Sequence, residues 1–182
     1  MKYKNDKKGF TLVELMVVVA IIGALSSVAI PAVAIYIRQS KTSEAFVQLK
    51  SLGDSATQYY QVDHNDALGN PIPDKMFPTP SYVAGDASVA SNPSSIPKAS
   101  KVVTVWSSVP WFDLKFQVTK AHYYQYRFNS QEVGSLDTFT ADAVGDLDGD
   151  EVTTTFRVTG TADQDDKFYV SPPVTITPSD IE

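Results

Sequence analysis

Lys8-Gly9-Phe10-Thr11-Leu12-Val13-Glu14 opens an apolar run that reaches Ile37. Between Phe10 and Ile37, Glu14 is the only charged side chain and Pro31 the only proline. These 28 residues make a helix of roughly 42 Å at about 1.5 Å per residue, whereas a bilayer core needs only about 20 apolar residues. The segment is therefore long enough to span a membrane and still protrude. Lys2, Lys4, Lys7 and Lys8 precede it, against the single acid Asp6. That asymmetry predicts a cytoplasmic N-terminus, because basic flanks stay on the cytoplasmic side.

The rest of the chain reads as a water-exposed domain. The net charge of the 182 residues is −6, and residues 10–182 alone carry −9. An acidic surface disfavours nonspecific binding of DNA or anionic membrane by the domain itself. The chain has no cysteine, which excludes disulfides, thiol chemistry and zinc–thiolate sites. Basic residues followed by apolar ones also describe a secretory signal or a plain membrane anchor. The run is too long for an ordinary signal core, and no small-x-small cleavage site follows it cleanly. The Gly9-Phe10 step lies before the run, so a cut there removes the lysines and keeps the helix.

Residues 8–14 resemble the class III signal of type IV pilins and the related pseudopilins. The resemblance implies that prepilin peptidase cuts after Gly9, that residues 1–9 are the leader, and that the new terminal Phe10 is N-methylated. Counted from Phe10, Glu14 is fifth and Pro31 twenty-second, as in the family. The specific match covers about residues 7–37. Chemistry supports the same roles. Gly9 has no side chain, so a protease can approach its backbone closely. Cleavage makes Phe10 a free ammonium beside an apolar helix. Glu14 is the lone acid of that segment, and a carboxylate in apolar surroundings needs a partner. In a filament of identical subunits the Phe10 ammonium of a neighbour supplies one, and Glu14 then sets the axial register. The plainer alternative is that Glu14 snorkels to the headgroups. Gly23 and Pro31 both weaken a helix, with Ser26 and Ser27 between them. They predict a kink, and the resemblance extends this to a stretch that melts when the filament forms or is pulled.

After Ile37 the pattern becomes one-sided. Ala45, Phe46, Leu49, Leu52, Ala56, Tyr59 and Tyr60 recur at three- and four-residue spacings, so residues 38–62 are predicted to be an amphipathic helix with one buried face. Helix is expected from near Phe10 to about Val62, the segment 10–37 serving as transmembrane and assembly helix. Residues 63–100 hold Pro71, Pro73, Pro78, Pro80, Pro93 and Pro97 and correspond, by the resemblance, to the variable αβ-loop. Residues 101–182 read as β. Strands are expected at Lys101–Trp106, Tyr123–Phe128, Phe139–Val144, Val152–Val158 and Phe168–Ile176, the last bent by Pro172-Pro173. Trp111, Leu114 and Phe116 read as core anchors. The expected fold is α+β, the pilin fold: a long N-terminal helix packed on an antiparallel sheet of about four strands.

Gly145-Asp146-Leu147-Asp148-Gly149-Asp150-Glu151 is the one stretch with the look of a metal site. Asp146, Asp148 and Asp150 offer alternate hard oxygen ligands of the kind that suit Ca²⁺. An EF-hand needs glycine at 151 and glutamate at 157, where this chain has Glu151 and Arg157. A shorter carboxylate cluster, completed by Asp163, Asp165 or Asp166, is the calcium reading. The competing reading is a hairpin turn whose aspartates bond their own backbone. His64 and His122 stand in unrelated contexts without a ligand pattern. No phosphate loop or nucleophile motif is present, so the chain is not expected to be an enzyme.

The resemblance thus implies a structural subunit of a bacterial type IV pilus. Expected partners are other copies of the chain in a helical homopolymer, prepilin peptidase, an inner-membrane assembly platform, an outer-membrane secretin pore, minor pilins, and inner-membrane lipid before assembly. The expected location is the inner membrane as precursor and then the cell surface, serving motility, adhesion or DNA uptake. The alternatives are a pseudopilin of a type II secretion system and a minor pilin with a binding role at the tip.

Overall fold

The structure is a computed structural model describing residues 9–65, 68–70, 76–78, 90–92, 96–97, 100–133, 136–163 and 167–177. The N-terminal lysines, most of the expected αβ-loop, and Asp165 and Asp166 lie outside the described residues. The chain forms two compact units, Met1–Gln39 and Ser40–Glu182. One helix, α1 (Leu12–Gln61), contributes to both.

In the first unit α1 is apolar on every side. Pro31 lies inside the helix. It lacks the N–H that would bond the Ser27 carbonyl. The Ser27 hydroxyl meanwhile donates to the Ala24 carbonyl at 2.7 Å.

In the second unit α1 buries Thr42, Ala45, Leu49, Leu52, Gly53, Ala56 and Tyr60, the stripe that the spacing predicts. Phe46 and Tyr59 lie at its margins. Phe46 is partly exposed, yet its ring is 5.0 Å from that of Phe156. Six antiparallel strands are described: β1 (Ala90–Asn92), β2 (Gln125–Val133), β3 (Leu136–Gly145), β4 (Thr154–Ala162), β5 (Phe168–Val170) and β6 (Val174–Thr175). Their order is β1-β2-β3-β4-β5, with β6 also on the edge of β4.

The inner face is set by register. Tyr126, Ala143 and Phe156 form one row, Phe128, Ala141 and Val158 the next, and Ser130, Phe139 and Gly160 a third. Large and small side chains alternate across the sheet, so the layer interdigitates. Gly160 is required there, because a Cβ on it would fall 2.1 Å from Cε1 of Phe139. Gly53 brings the helix backbone close to the sheet, and a Cβ on it would lie 3.4 Å from a Val158 methyl. Burial chiefly, with Glu44 and Tyr124 adding to it, pushes the Tyr126 phenol pKa up. On the other face Arg157 grips Asp142 through two hydrogen bonds, 2.6 and 2.9 Å, between residues paired across β3 and β4. Hydrogen bonding to Asp142 raises the guanidinium pKa further above its ordinary value.

Three of the strand expectations are adjusted here, and one strand is additional. Lys101–Trp106 is extended but is not a strand, since only Val102 bridges, to His122. Its alternation reflects burial without pairing. Trp106 packs edge-on against Trp111 at 5.0 Å, and its indole N–H donates to the Val118 carbonyl at 3.2 Å. Trp111, Leu114 and Phe116 are buried beside it as expected. β2 starts at Gln125, two residues after the expected start, because the N–H of Tyr123 donates to Oε1 of Glu44 on α1 at 2.9 Å. The last strand is split into β5 and β6 at Pro172-Pro173, two residues with no N–H to donate to a ladder. There the Ser171 and Thr177 hydroxyls accept from the backbone N–H groups of Thr159 and Thr155. β1, inside the expected loop, has no sequence signal of its own.

Candidate functional site

Two places hold the residues that the sequence singles out. The first is the start of α1. Gly9 and Phe10 precede the helix and are exposed, and no atom comes within 4 Å of where a Gly9 Cβ would stand. Thr11 caps the helix. Its backbone N–H and its hydroxyl both donate to Oε2 of Glu14, at 2.8 and 2.7 Å, and its hydroxyl oxygen accepts from the N–H of Glu14 at 3.3 Å. This is a capping box: two otherwise unpaired backbone donors of the first turn are satisfied by a reciprocal pair three residues apart. The acid also sits at the positive end of the helix dipole. The Thr-x-x-Glu spacing is visible in the sequence, and it assigns Glu14 a local partner besides the intersubunit and headgroup readings.

From this cap the helix presents a continuous apolar surface. An 18-residue window has a mean hydropathy of 2.4, and none of it is buried. Leu12, Val13, Val28 and Ile30 are each more than two-thirds exposed or close to it. Monomeric soluble proteins seldom expose contiguous apolar patches beyond a few hundred Å². Such a surface needs lipid or other protein against it. Gly23 adds to its smoothness, having open space around it, and Pro31 lies within the same stretch.

The second place is the hairpin between β3 and β4, closed by the Gly145–Thr154 pair. The structure brings Asp146, Asp148 and Asp150 together, with one carboxylate oxygen from each lying within 4.8 Å of the others. Asp146 is 2% exposed and is the hub of the turn. Its Oδ1 accepts from the N–H of Gly149 at 2.6 Å and its Oδ2 from that of Glu151 at 3.2 Å. Asp148 accepts from Asp150 N–H at 3.4 Å, and Asp150 from Val152 N–H at 2.8 Å. Gly149 and Glu151 both take left-handed conformations, φ 83° and 76°. The aspartates thus bond their own backbone, as in the turn reading. The expected additional ligand Asp163 is engaged in its own turn, accepting from Lys167 N–H at 3.0 Å. Arg157 points its guanidinium at Asp142. The one buried carboxylate holds two backbone donors, so the turn has its own hydrogen bonds whether or not an ion sits among the three aspartates.

His64 lies over the Tyr59 ring and His122 is fully buried in the core.

The Prokaryotic N-terminal methylation motif family matches residues 4–30. A fimbrial protein of Neisseria meningitidis serogroup B is 42% identical over 64 residues, 35% of this chain and 37% of that protein. A fimbrial protein of Moraxella nonliquefaciens is 51% identical over 51 residues, 28% of this chain and 33% of that protein. In these two the shared part is about a third of the relative's length. The type IV major pilin protein PilE of Neisseria gonorrhoeae is 31% identical over 156 residues, covering 76% of this chain and 85% of that protein. No solved structure matches. A capped, fully apolar helix start, a one-sided second half packed on an antiparallel sheet, and a relative matched along most of its length agree with one another: the chain belongs to the type IV pilin family.

Proposed function

We propose that this pilin is made as an inner-membrane precursor, cut after Gly9 by prepilin peptidase, N-methylated at Phe10, and polymerised through residues 10–37 into a surface filament. The observation that carries the reading is the exposed apolar surface of α1 behind a methylation motif. Lipid covers that surface before assembly, and neighbouring copies cover it afterwards. Glu14 serves as the register group. Both Thr11 donors use Oε2, so the ammonium of a neighbour's Phe10 can pair with Oε1 while the cap stays intact. Gly23 and Pro31 mark the stretch that loosens on assembly. The platform, the secretin pore and minor pilins are the machinery that such a filament requires, and motility, adhesion or DNA uptake are the tasks that it serves.

The test is the composition of sheared surface filaments together with the mass of their N-terminal peptide. This chain should dominate, and its first residue should be a methylated Phe10. Confinement to a short periplasmic fibre would assign it instead to a secretion machine as a pseudopilin, and an intact leader in assembled filaments would overturn the processing scheme.

A further inference from the structure

At the C-terminal end of α1 the second unit contains a groove of about 700 Å³. Ser55, Gln58, Tyr59 and Asn65 line one side, and Phe112 and Asp113 the other. We infer that this groove binds a neutral saccharide.

Both walls are fixed. On the helix side the His64 ring stacks on Tyr59 with centroids 3.9 Å apart, and its Nε2 lies 2.8 Å from the Tyr59 carbonyl. A carbonyl only accepts, so Nε2 carries the proton. The N–H of Val62 donates to the same oxygen at 3.2 Å, which closes the helix end. The facing wall is a tight turn. In it the N–H of Phe112 donates to Ser108, that of Leu114 to Pro110, and that of Phe116 to Trp111. Pro110, Trp111, Leu114 and Phe116 are buried, whereas Phe112, between them, is 70% exposed. Lys115 completes the turn with φ 51°, a left-handed conformation. Four buried neighbours and three backbone bonds thus hold one apolar ring in water at the mouth of the groove.

The chemistry of the lining selects the ligand. Phe112 offers an apolar ring face. Ser55, Gln58 and Asn65 offer neutral donors and acceptors. Asp113 and Lys115 contribute opposite charges that cancel, in a unit whose residues 40–182 carry net −9. An anionic ligand would meet the field of the acidic domain. A cation would find only Asp113 in the lining, and Lys115 offsets that charge. A wholly apolar ligand would cover the amides of Gln58 and Asn65 without pairing them. A sugar ring has one face of C–H bonds for the aromatic ring and an edge of hydroxyls for the amides. The volume lies in the range of about 300–1,000 Å³ usual for small-molecule sites.

The test uses the full chain in dodecylphosphocholine micelles, which carry no sugar headgroup, so it does not depend on polymerisation. Glucose, galactose, N-acetylglucosamine, N-acetylgalactosamine and lactose are titrated with ligand-observed saturation-transfer NMR, beside sialic acid as the charged control. At least one neutral sugar should receive saturation, strongest on ring C–H protons. Phe112→Ala should weaken its binding about tenfold, the size of one aromatic contact. Gln58→Ala should weaken it too, while the far-UV spectrum and melting midpoint stay unchanged. No transfer to any neutral sugar, transfer undiminished in Phe112→Ala, or transfer to sialic acid alone would each overturn the assignment.

Discussion

Gly160→Ala should destabilise the second unit through one contact. The added Cβ would stand 2.1 Å from Cε1 of Phe139, 2.6 Å from Cζ and 2.8 Å from Cδ1, whereas ordinary contact begins at 3.4 Å. The ring cannot turn aside freely. Phe139 is buried, with Phe77 edge-on at 4.9 Å and Phe128 stacked at 5.7 Å. Overpacking of a filled core costs about 1–3 kcal/mol. For a chain of this size about 1 kcal/mol moves the melting midpoint by about 2–4 °C, so a fall of about 2–12 °C is expected. The assay is a circular-dichroism melt of the full chain in detergent, run on Gly160→Ala, Phe139→Leu and the double variant. Phe139→Leu alone lowers the midpoint by opening space, but in the Gly160→Ala background it removes the clash. The two changes should therefore be non-additive by about 0.5–3 kcal/mol in the restoring direction. An unchanged midpoint for Gly160→Ala, or strict additivity, would refute the close fit of these two residues. The first unit has no part in this contact, so leader removal should proceed normally in all three variants.

Gly9→Leu should leave uncleaved precursor in the membrane, seen as a band of undiminished mass on an immunoblot; normal maturation would reject Gly9 as the cut site. Thr11→Ala removes both hydroxyl bonds at the helix start, so it should be processed yet give fewer filaments, with Thr11→Ser restoring the yield; a normal yield for Thr11→Ala would sink the capping role. Glu14→Ala should likewise be cleaved but assemble poorly, and full filament yield would reject the register role. Asp146→Ala leaves two turn N–H groups without acceptors and should cost about 1–3 kcal/mol, while Asp148→Ala and Asp150→Ala, at exposed positions, should stay within about 0.5 kcal/mol. EDTA should leave the melting midpoint where it is; a clear fall would restore the calcium reading, since a ligand of the native state raises the midpoint.

How much of this was legible in the sequence depends on the kind of constraint. The helix was readable because its signal is long: an unbroken apolar run, then a stripe at Ala45, Leu49, Leu52, Ala56 and Tyr60 that has one physical solution. β3 and β4 were readable from apolar residues on either side of an Asp/Gly turn, although β3 runs past both expected ends and β4 starts two residues later and ends four later than Val152–Val158. Lys101–Trp106 alternates and yet is no strand. Alternation reports which side chains face inward, and Trp106 reaches the core through Trp111 and the Val118 carbonyl without a ladder partner. Periodicity sees burial, and pairing is a separate fact that depends on a distant segment.

The same distinction governs the two sites. Glu14 was found because an acid in an apolar run is anomalous, and an anomaly calls for a partner from outside the chain. The nearest donors, however, belong to Thr11, three residues back. The acidic hairpin shows the complementary case. Its aspartates were conspicuous as a group, yet each turns to its own backbone, and the buried Asp146 organises the loop by accepting two N–H bonds. In both places the local hydrogen bond forms first because closing a three- to five-residue loop costs little entropy. A neighbour's ammonium, or an ion, can add only to what remains. For Glu14 something does remain, since both Thr11 donors use Oε2 and the residue is exposed. For Asp146 each oxygen already accepts one N–H, and the residue is buried. The exposed acid is thus the one open to a second chain, whereas the buried acid is committed first to its own turn.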